Sequence, residues 1–177
     1  MVSPAVPGPD VPGPDVYEIA AQVADPEMPM LTLADLGVLR SAERTEHGTV
    51  VVTITPTYSG CPALEAMRDD LRTRLQDAGH PSVEVRVSLT PPWTTDLISD
   101  GGRRKLAESG IAPPDHLGPR PVGGPVPLVL TAAPRTVRCP RCGSPDTEVL
   151  SRFGPTACTA LRRCRECREP FEHMKDL

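Results

Sequence analysis

The chain has 177 residues, a net charge of −4 and 23 prolines, but only one Trp, two Tyr and two Phe. So mildly acidic a balance, with few stacking aromatics, argues against nucleic acid as the main partner. No run approaches the roughly 18 apolar residues of a membrane span. The N-terminus has no Lys or Arg before Arg40 and no apolar stretch of signal length, so a cytoplasmic protein with reduced thiols is expected.

Residues 1–15 (MVSPAVPGPDVPGPD) hold five prolines and read as a disordered tail. The next segment, VYEIAAQVA, has helical spacing, with Val16, Ile19, Ala20 and Val23 on one face, and Pro26 ends the pattern. A loop, DPEMPMLTLADLG, leads to a strand near Val38. A hairpin follows, with a turn at Glu46, His47 and Gly48 before TVVVTIT, where Val50, Val52 and Ile54 alternate with Val51, Thr53 and Thr55.

From Pro62 onward the spacing predicts a helix. Leu64, Met67, Leu71, Leu75 and Ala78 form one apolar stripe, and Gly79 with Pro81 stops it. A third strand places Val83, Val85, Val87 and Leu89 on one side. After the PPWTTD loop, Ser99 is suited to cap a short helix ending at Gly110. Residues 16–114 therefore predict an α+β domain: a small mixed sheet with helices packed on one face. Residues 115–135, rich in Pro and Gly, read as a linker.

Residues 136–177 predict a separate small lobe of short strands with too little apolar content to fold unaided. The staple is CPRC (Cys139, Cys142) and CREC (Cys164, Cys167). Each two-residue gap lets a tight turn aim both sulfurs at one ion, and two such turns complete a tetrahedron around zinc. The predicted site is a closed, structural zinc ribbon. A rival is an iron–sulfur cluster, with Cys158 as a fifth candidate ligand; otherwise Cys158 reads as an apolar filler on a strand. With four thiolates closing the site, His173 reads as a surface residue. Arg162, Arg163, Arg165 and Arg168 surround the second knuckle, either as a solvated face or as a docking patch for an acidic partner.

Cys61 stands where a better helix cap is expected. Pro62 fits a first helical turn and pushes Cys61 into extended geometry, aiming the thiol at the turn's free N–H groups. The helix dipole is worth about 0.3–1 kcal/mol, less than one pKa unit from a starting value of about 8.5, so the thiolate stays a minority at neutral pH. No histidine is placed as its base: His47 lies in a turn and His80 at a helix end. Nucleophilic catalysis is thus poorly supported. Metal binding needs no prior activation, because the ion displaces the proton as it binds. A half-buried cysteine that merely fills space is the other reading.

The motifs DPEMP (25–29), DLG (35–37), TPTYSGCPA (55–63) and LTPPWTTDLIS (89–99) resemble the metal–sulfur cluster biosynthesis family. Joined to CPRCGS, SRFGPTACTALRRC and CREPF, they are similar to the PaaD-like family, which belongs to the bacterial phenylacetyl-CoA epoxidase system. The resemblance implies a non-enzymatic accessory role in aerobic phenylacetate catabolism, assisting maturation or loading of iron or iron–sulfur centres. The implied partners are the di-iron oxygenase and the iron–sulfur flavin reductase of that system. Cys61 matches the position implied to handle iron or a cluster transiently, and Asp25, Glu27, Asp35 and Thr57 match its neighbours in motif. Cys139, Cys142, Cys164 and Cys167 match the ribbon ligands. Pro155 stands where the family pattern has a serine, and Arg162 where it has an aromatic. Two alternatives stay open: a structural component of the oxygenase assembly, and a nucleic-acid-binding ribbon protein.

Overall fold

The computed structural model describes residues 15–58, 60–116, 118 and 136–176. Apart from Asp15, the expected N-terminal tail lies outside the described residues, as does most of the expected linker.

Asp15 caps helix α1 (Val16–Ala21), its carboxylate accepting the Tyr17 N–H at 3.3 Å. Val16, Ile19 and Ala20 are buried, and α1 packs on strand β1 (Leu39–Arg44) and on α2 (Leu64–Asp77). Strand β1 pairs antiparallel with β2 (Val50–Ile54), and β2 pairs parallel with β3 (Val83–Val87), giving a mixed sheet of order β1-β2-β3. The period-2 pattern of β2 survives: Val50, Val52 and Ile54 are fully buried while Val51 and Thr53 are half-buried. On β3 the expected apolar side fades. Val85 is buried, but Val87 and Leu89 are exposed at the sheet edge, where no described element covers them.

Helix α2 begins later than the sequence predicts. Cys61–Leu64 forms a tight turn in which the Leu64 N–H donates to the Cys61 carbonyl (3.3 Å), and the first helical bond runs from Met67 to Ala63 (2.9 Å). The cap is therefore Ala63, without a side-chain bond, and Pro62 lies outside the helix. Met67, Leu71 and Leu75 carry the buried stripe; Ala78, expected on it, is exposed. The end is a Schellman motif: Gly79 (φ 94°) donates to the Gln76 carbonyl and His80 to that of Leu75, at 2.9 and 3.0 Å. Ser99 caps α3 (Asp100–Glu108) as expected, accepting the Gly102 N–H at 2.9 Å.

The chain after α3 does not leave the molecule directly. Strand β4 (Ile111–Ala112) pairs parallel with β7 (Pro170–Met174), and β6 (Thr159–Cys164) and β5 (Thr147–Ser151) complete a second sheet of order β4-β7-β6-β5. Arg103 holds the segment after β4, donating to the carbonyls of Thr95 and Pro114. The ribbon has a small core of its own: Ala112, Val137, Cys139, Cys164 and Phe171. Cys158 and Met174, by contrast, belong to the main core shared with α1, α2 and the first sheet. No described helix is long and apolar enough to cross a membrane.

Candidate functional site

Two sites emerge, one made of four thiols and one around Cys61. In the ribbon, the Sγ atoms of Cys139, Cys142, Cys164 and Cys167 lie within 4.8 Å of one another. The Cys139–Cys167 separation is 3.7 Å and the Cys142–Cys164 separation 3.6 Å. A tetrahedron with Zn–S bonds of about 2.3 Å has edges of about 3.8 Å, so the cage fits one zinc ion. An iron–sulfur cluster, with its own irons and sulfides between the ligands, would hold the thiolates wider apart.

The knuckles form as the spacing predicts. Gly143 (φ 76°) closes the first turn with an N–H to the Cys139 carbonyl at 2.9 Å, and Arg168 takes the left-handed position (φ 63°) in the second. Backbone N–H groups reach the sulfurs: Ser144 donates to Cys142, Cys167 and Glu166 to Cys164, and Glu169 to Cys167. So close together, the thiols oppose one another's ionisation. Helped first by the Cys167 N–H, Cys164 falls to about 7, whereas Cys142, despite the Ser144 N–H, is pushed up to about 12. A dication removes that conflict by deprotonating all four. His173 is no surface residue: it is buried on β7, where burial pushes its pKa down, and it is no member of the tetrad. The arginines are largely occupied, Arg163 and Arg165 by Glu148 and Arg162 by Thr147.

Cys61 is half-buried in the turn before α2, with Gly60 beside it packed against the Tyr58 ring. Burial raises its pKa; the Ala63 N–H on the sulfur offsets part of this, and Glu27, Asp25 and Cys158 push it further up. Direct donation from the N-terminal turn is thus realised by one N–H, and the surroundings outweigh it. Such a thiol is a poor nucleophile at neutral pH, yet a soft cation can still displace its proton.

Of the residues singled out with Cys61, Asp25 and Glu27 are brought near it. Asp25 is 6% exposed, and its Oδ1 accepts the N–H groups of Glu27 and Met28, both at 2.8 Å; burial nonetheless leaves its pKa raised. The turn it caps carries Glu27, whose charge raises the Cys61 pKa. Thr57 is half-buried in the loop after β2. Asp35 is engaged elsewhere. Its Oδ2 accepts the N–H (3.0 Å) and hydroxyl (3.1 Å) of Thr32 and the Lys105 ammonium (2.6 Å), clamping the loop to α3. The companion Gly37 (φ 66°) lies so close to Leu97 that a Cβ there would clash with its carbonyl oxygen.

Tyr58 was not singled out by sequence reasoning, and Cys158 was weighed only as a fifth ribbon ligand or a filler, never beside Cys61. Burial raises the Tyr58 pKa, and the charges of Cys61, Glu27 and Cys158 raise it further. Cys158 is 8% exposed in the turn before β6, not on the strand, and its sulfur lies 3.2 Å from the Thr156 hydroxyl. Tyr58 stands in the same TYSGC motif as Cys61, a signal that proximity in sequence offered. Nothing in the spacing linked Cys158 to Cys61.

The fold and the two sulfur sites together define a class: an iron–sulfur cluster assembly domain joined to a zinc ribbon. Family comparison matches residues 15–89 to "Iron-sulfur cluster assembly protein" and residues 124–175 to "PaaD zinc beta ribbon domain". A relative in Escherichia coli (strain K12), the D subunit of a "Putative 1,2-phenylacetyl-CoA epoxidase", is 44% identical over 166 residues, 90% of each chain. The present chain belongs to that PaaD family of epoxidase subunits. A "Fe-S protein maturation auxiliary factor" of Porphyromonas gingivalis is 30% identical over 92 residues, 51% of this chain and 87% of that one. A solved domain of unknown function (DUF59) from Bacillus anthracis aligns with 51% of this chain and 87% of its own, at 26% identity and a TM-score of 0.43.

Proposed function

We propose that the protein is a non-catalytic maturation factor for the metal centres of a phenylacetyl-CoA epoxidase system in the cytoplasm. Iron or an iron–sulfur cluster is its cargo, taken up at Cys61 and passed to a client, either the di-iron oxygenase or the iron–sulfur flavin reductase. The zinc ribbon is structural and presents the client-facing surface.

One observation carries this reading: Cys61 is reachable from solvent, but burial and two carboxylates keep its thiol protonated. That combination disfavours attack on an electrophile and suits reversible capture of a soft cation, with the proton leaving as the metal–sulfur bond forms. Glu27, whose charge acts on the Cys61 thiol, offers a carboxylate, a harder oxygen that an incoming iron can use. Asp25 shapes the turn that holds Glu27, and Asp35 keeps the next loop in register through Lys105. The names of the relatives, a component of an epoxidase and auxiliary factors of Fe–S protein maturation, point the same way.

The test is to mature the oxygenase and the reductase in cells carrying Cys61→Ser in place of the wild type, then count metal in every component. The expected result is an unchanged zinc content in the variant with iron-deficient clients. Clients fully loaded beside Cys61→Ser would remove the proposal.

A further inference from the structure

We propose that the client docks on the outer edge of the ribbon, along β5 and the turn after it, through a segment that combines apolar side chains with carboxylates. This deepens the reading of the ribbon as the client-facing surface and rests on it. Of the large apolar side chains exposed among the described residues, three fall within residues 149–153: Val149 (52%), Leu150 (48%) and Phe153 (80%). The cause is local. β5 is an edge strand of the second sheet, and a bulge between Val149 and Ser151 leaves Leu150 without a partner on β6. The zinc cage sets where this edge lies, because Thr147, the first residue of β5, pairs with the ligand Cys164.

Cations surround the patch. Arg152 is exposed and has no side-chain partner among the described residues. The Lys175 ammonium stands 5.5 Å from the centre of the Phe153 ring and donates to the Ala157 carbonyl at 2.8 Å, which fixes its charge there. Arg162 lies opposite Val149 on β6, its guanidinium donating to the Thr147 hydroxyl. The carboxylate of β5, Glu148, is already taken by Arg163 and Arg165. The edge is thus apolar with a positive rim, on a chain whose net charge is −4. Exposed apolar groups that cluster mark a contact surface, and an aromatic beside an arginine is the kind of anchor that carries binding energy. The rim selects carboxylates. A second copy of this chain would set Arg152 and Lys175 against their own kind. Nucleic acid would meet one exposed aromatic on the ribbon, with a lysine already over its ring, and no stacking platform.

The zinc-loaded full chain is titrated by calorimetry, at low and at moderate salt, into the metal-free oxygenase and, separately, the metal-free reductase. The expected result is binding to one of them that weakens as salt rises and falls at least about tenfold in Phe153→Ser and in Arg152→Glu. Both side chains are exposed, so the variants should keep their zinc, which metal analysis checks. Affinity unchanged in either zinc-loaded variant overturns the proposal, and so does binding indifferent to salt, since the occupant is then not acidic. A wild type that dimerises through Phe153, with client affinity unaltered by Phe153→Ser, gives the face to a second copy and overturns it too. The Cys61 reading fails separately: Cys61→Ser should bind the client as the wild type does, and a client fully loaded beside it leaves the docking surface standing. Wild-type protein that binds neither client removes the maturation reading and this one together.

Discussion

Stripping zinc from the ribbon should unfold β5, β6 and β7 while β1, β2 and β3 stay folded. Among the described residues, the ribbon's own core has two large apolar side chains, Val137 and Phe171, beside Ala112, Cys139 and Cys164. Burial of each contributes about 1.5–3 kcal/mol. Ordering the backbone costs about 1–2 kcal/mol per residue, so a handful of strand residues already outweighs that core. A tetrathiolate zinc site contributes on the order of 10–16 kcal/mol to folding, and it decides the balance. Met174 and Cys158 lend the ribbon a foothold on the main core, but two residues do not replace the ion. Hydrogen exchange before and after chelation reads the outcome. The Cys164 N–H bonded to Glu169 and the Lys175 N–H bonded to Cys158 should lose protection, while the amides of Val50 and Val52 keep theirs. Protection of β5–β7 unchanged after the metal is gone would refute the reasoning.

Three further outcomes follow from named contacts. Leu71→Ala empties a fully buried position of α2 and should cost about 2–5 kcal/mol in denaturant unfolding; a loss below about 1 kcal/mol would contradict the assigned core. For Asp35, burial alone raises the pKa, but Lys105 and Thr32 outweigh it and hold the folded value below the ordinary one. Its contribution is therefore present above the unfolded pKa of about 3.9 and disappears as pH falls through the folded value. Asp35→Asn should lose about 1 kcal/mol at neutral pH, mostly from the Thr32 bonds because the ion pair with exposed Lys105 is screened, and the gap to wild type should close in acid. A gap that does not narrow as pH falls below the ordinary carboxylate value and through the folded one speaks against the clamp. Glu27→Gln removes a negative charge that raises the Cys61 pKa, so alkylation of Cys61, followed by mass spectrometry, should begin at lower pH; an unmoved profile would place Glu27 away from the thiol.

Elements set by local periodicity were legible in the chain: the Met67–Leu71–Leu75 stripe, the alternation of β2, and the Ser99 cap all appear where the spacing puts them. The ribbon was legible for a different reason. Two CxxC turns constrain the sulfurs so tightly that a tetrahedral cage is nearly their only common arrangement. What escaped was tertiary. The pairing of β4 with β7 joins residues far apart in the chain, and no composition signal marks a two-residue strand. The same contact buries His173 and carries Cys158 to the first lobe, so both were misplaced for one cause. Pro62 is compatible with a first helical turn but does not compel one, and the chain made the Cys61–Leu64 turn instead. Asp35, in DLG, was grouped with Cys61, in TPTYSGCPA, through the family motif set, but in space it forms a salt bridge with Lys105; membership of that set alone did not separate the two roles.

The most direct test of the account is transfer itself. Zinc-loaded protein is charged with iron without oxygen, separated from free metal and mixed with the metal-free reductase, and the reductase is then recovered and its iron counted. The account predicts that wild-type protein delivers iron to the reductase and that Cys61→Ser, with its ribbon zinc intact, does not. Equal delivery by both would contradict it.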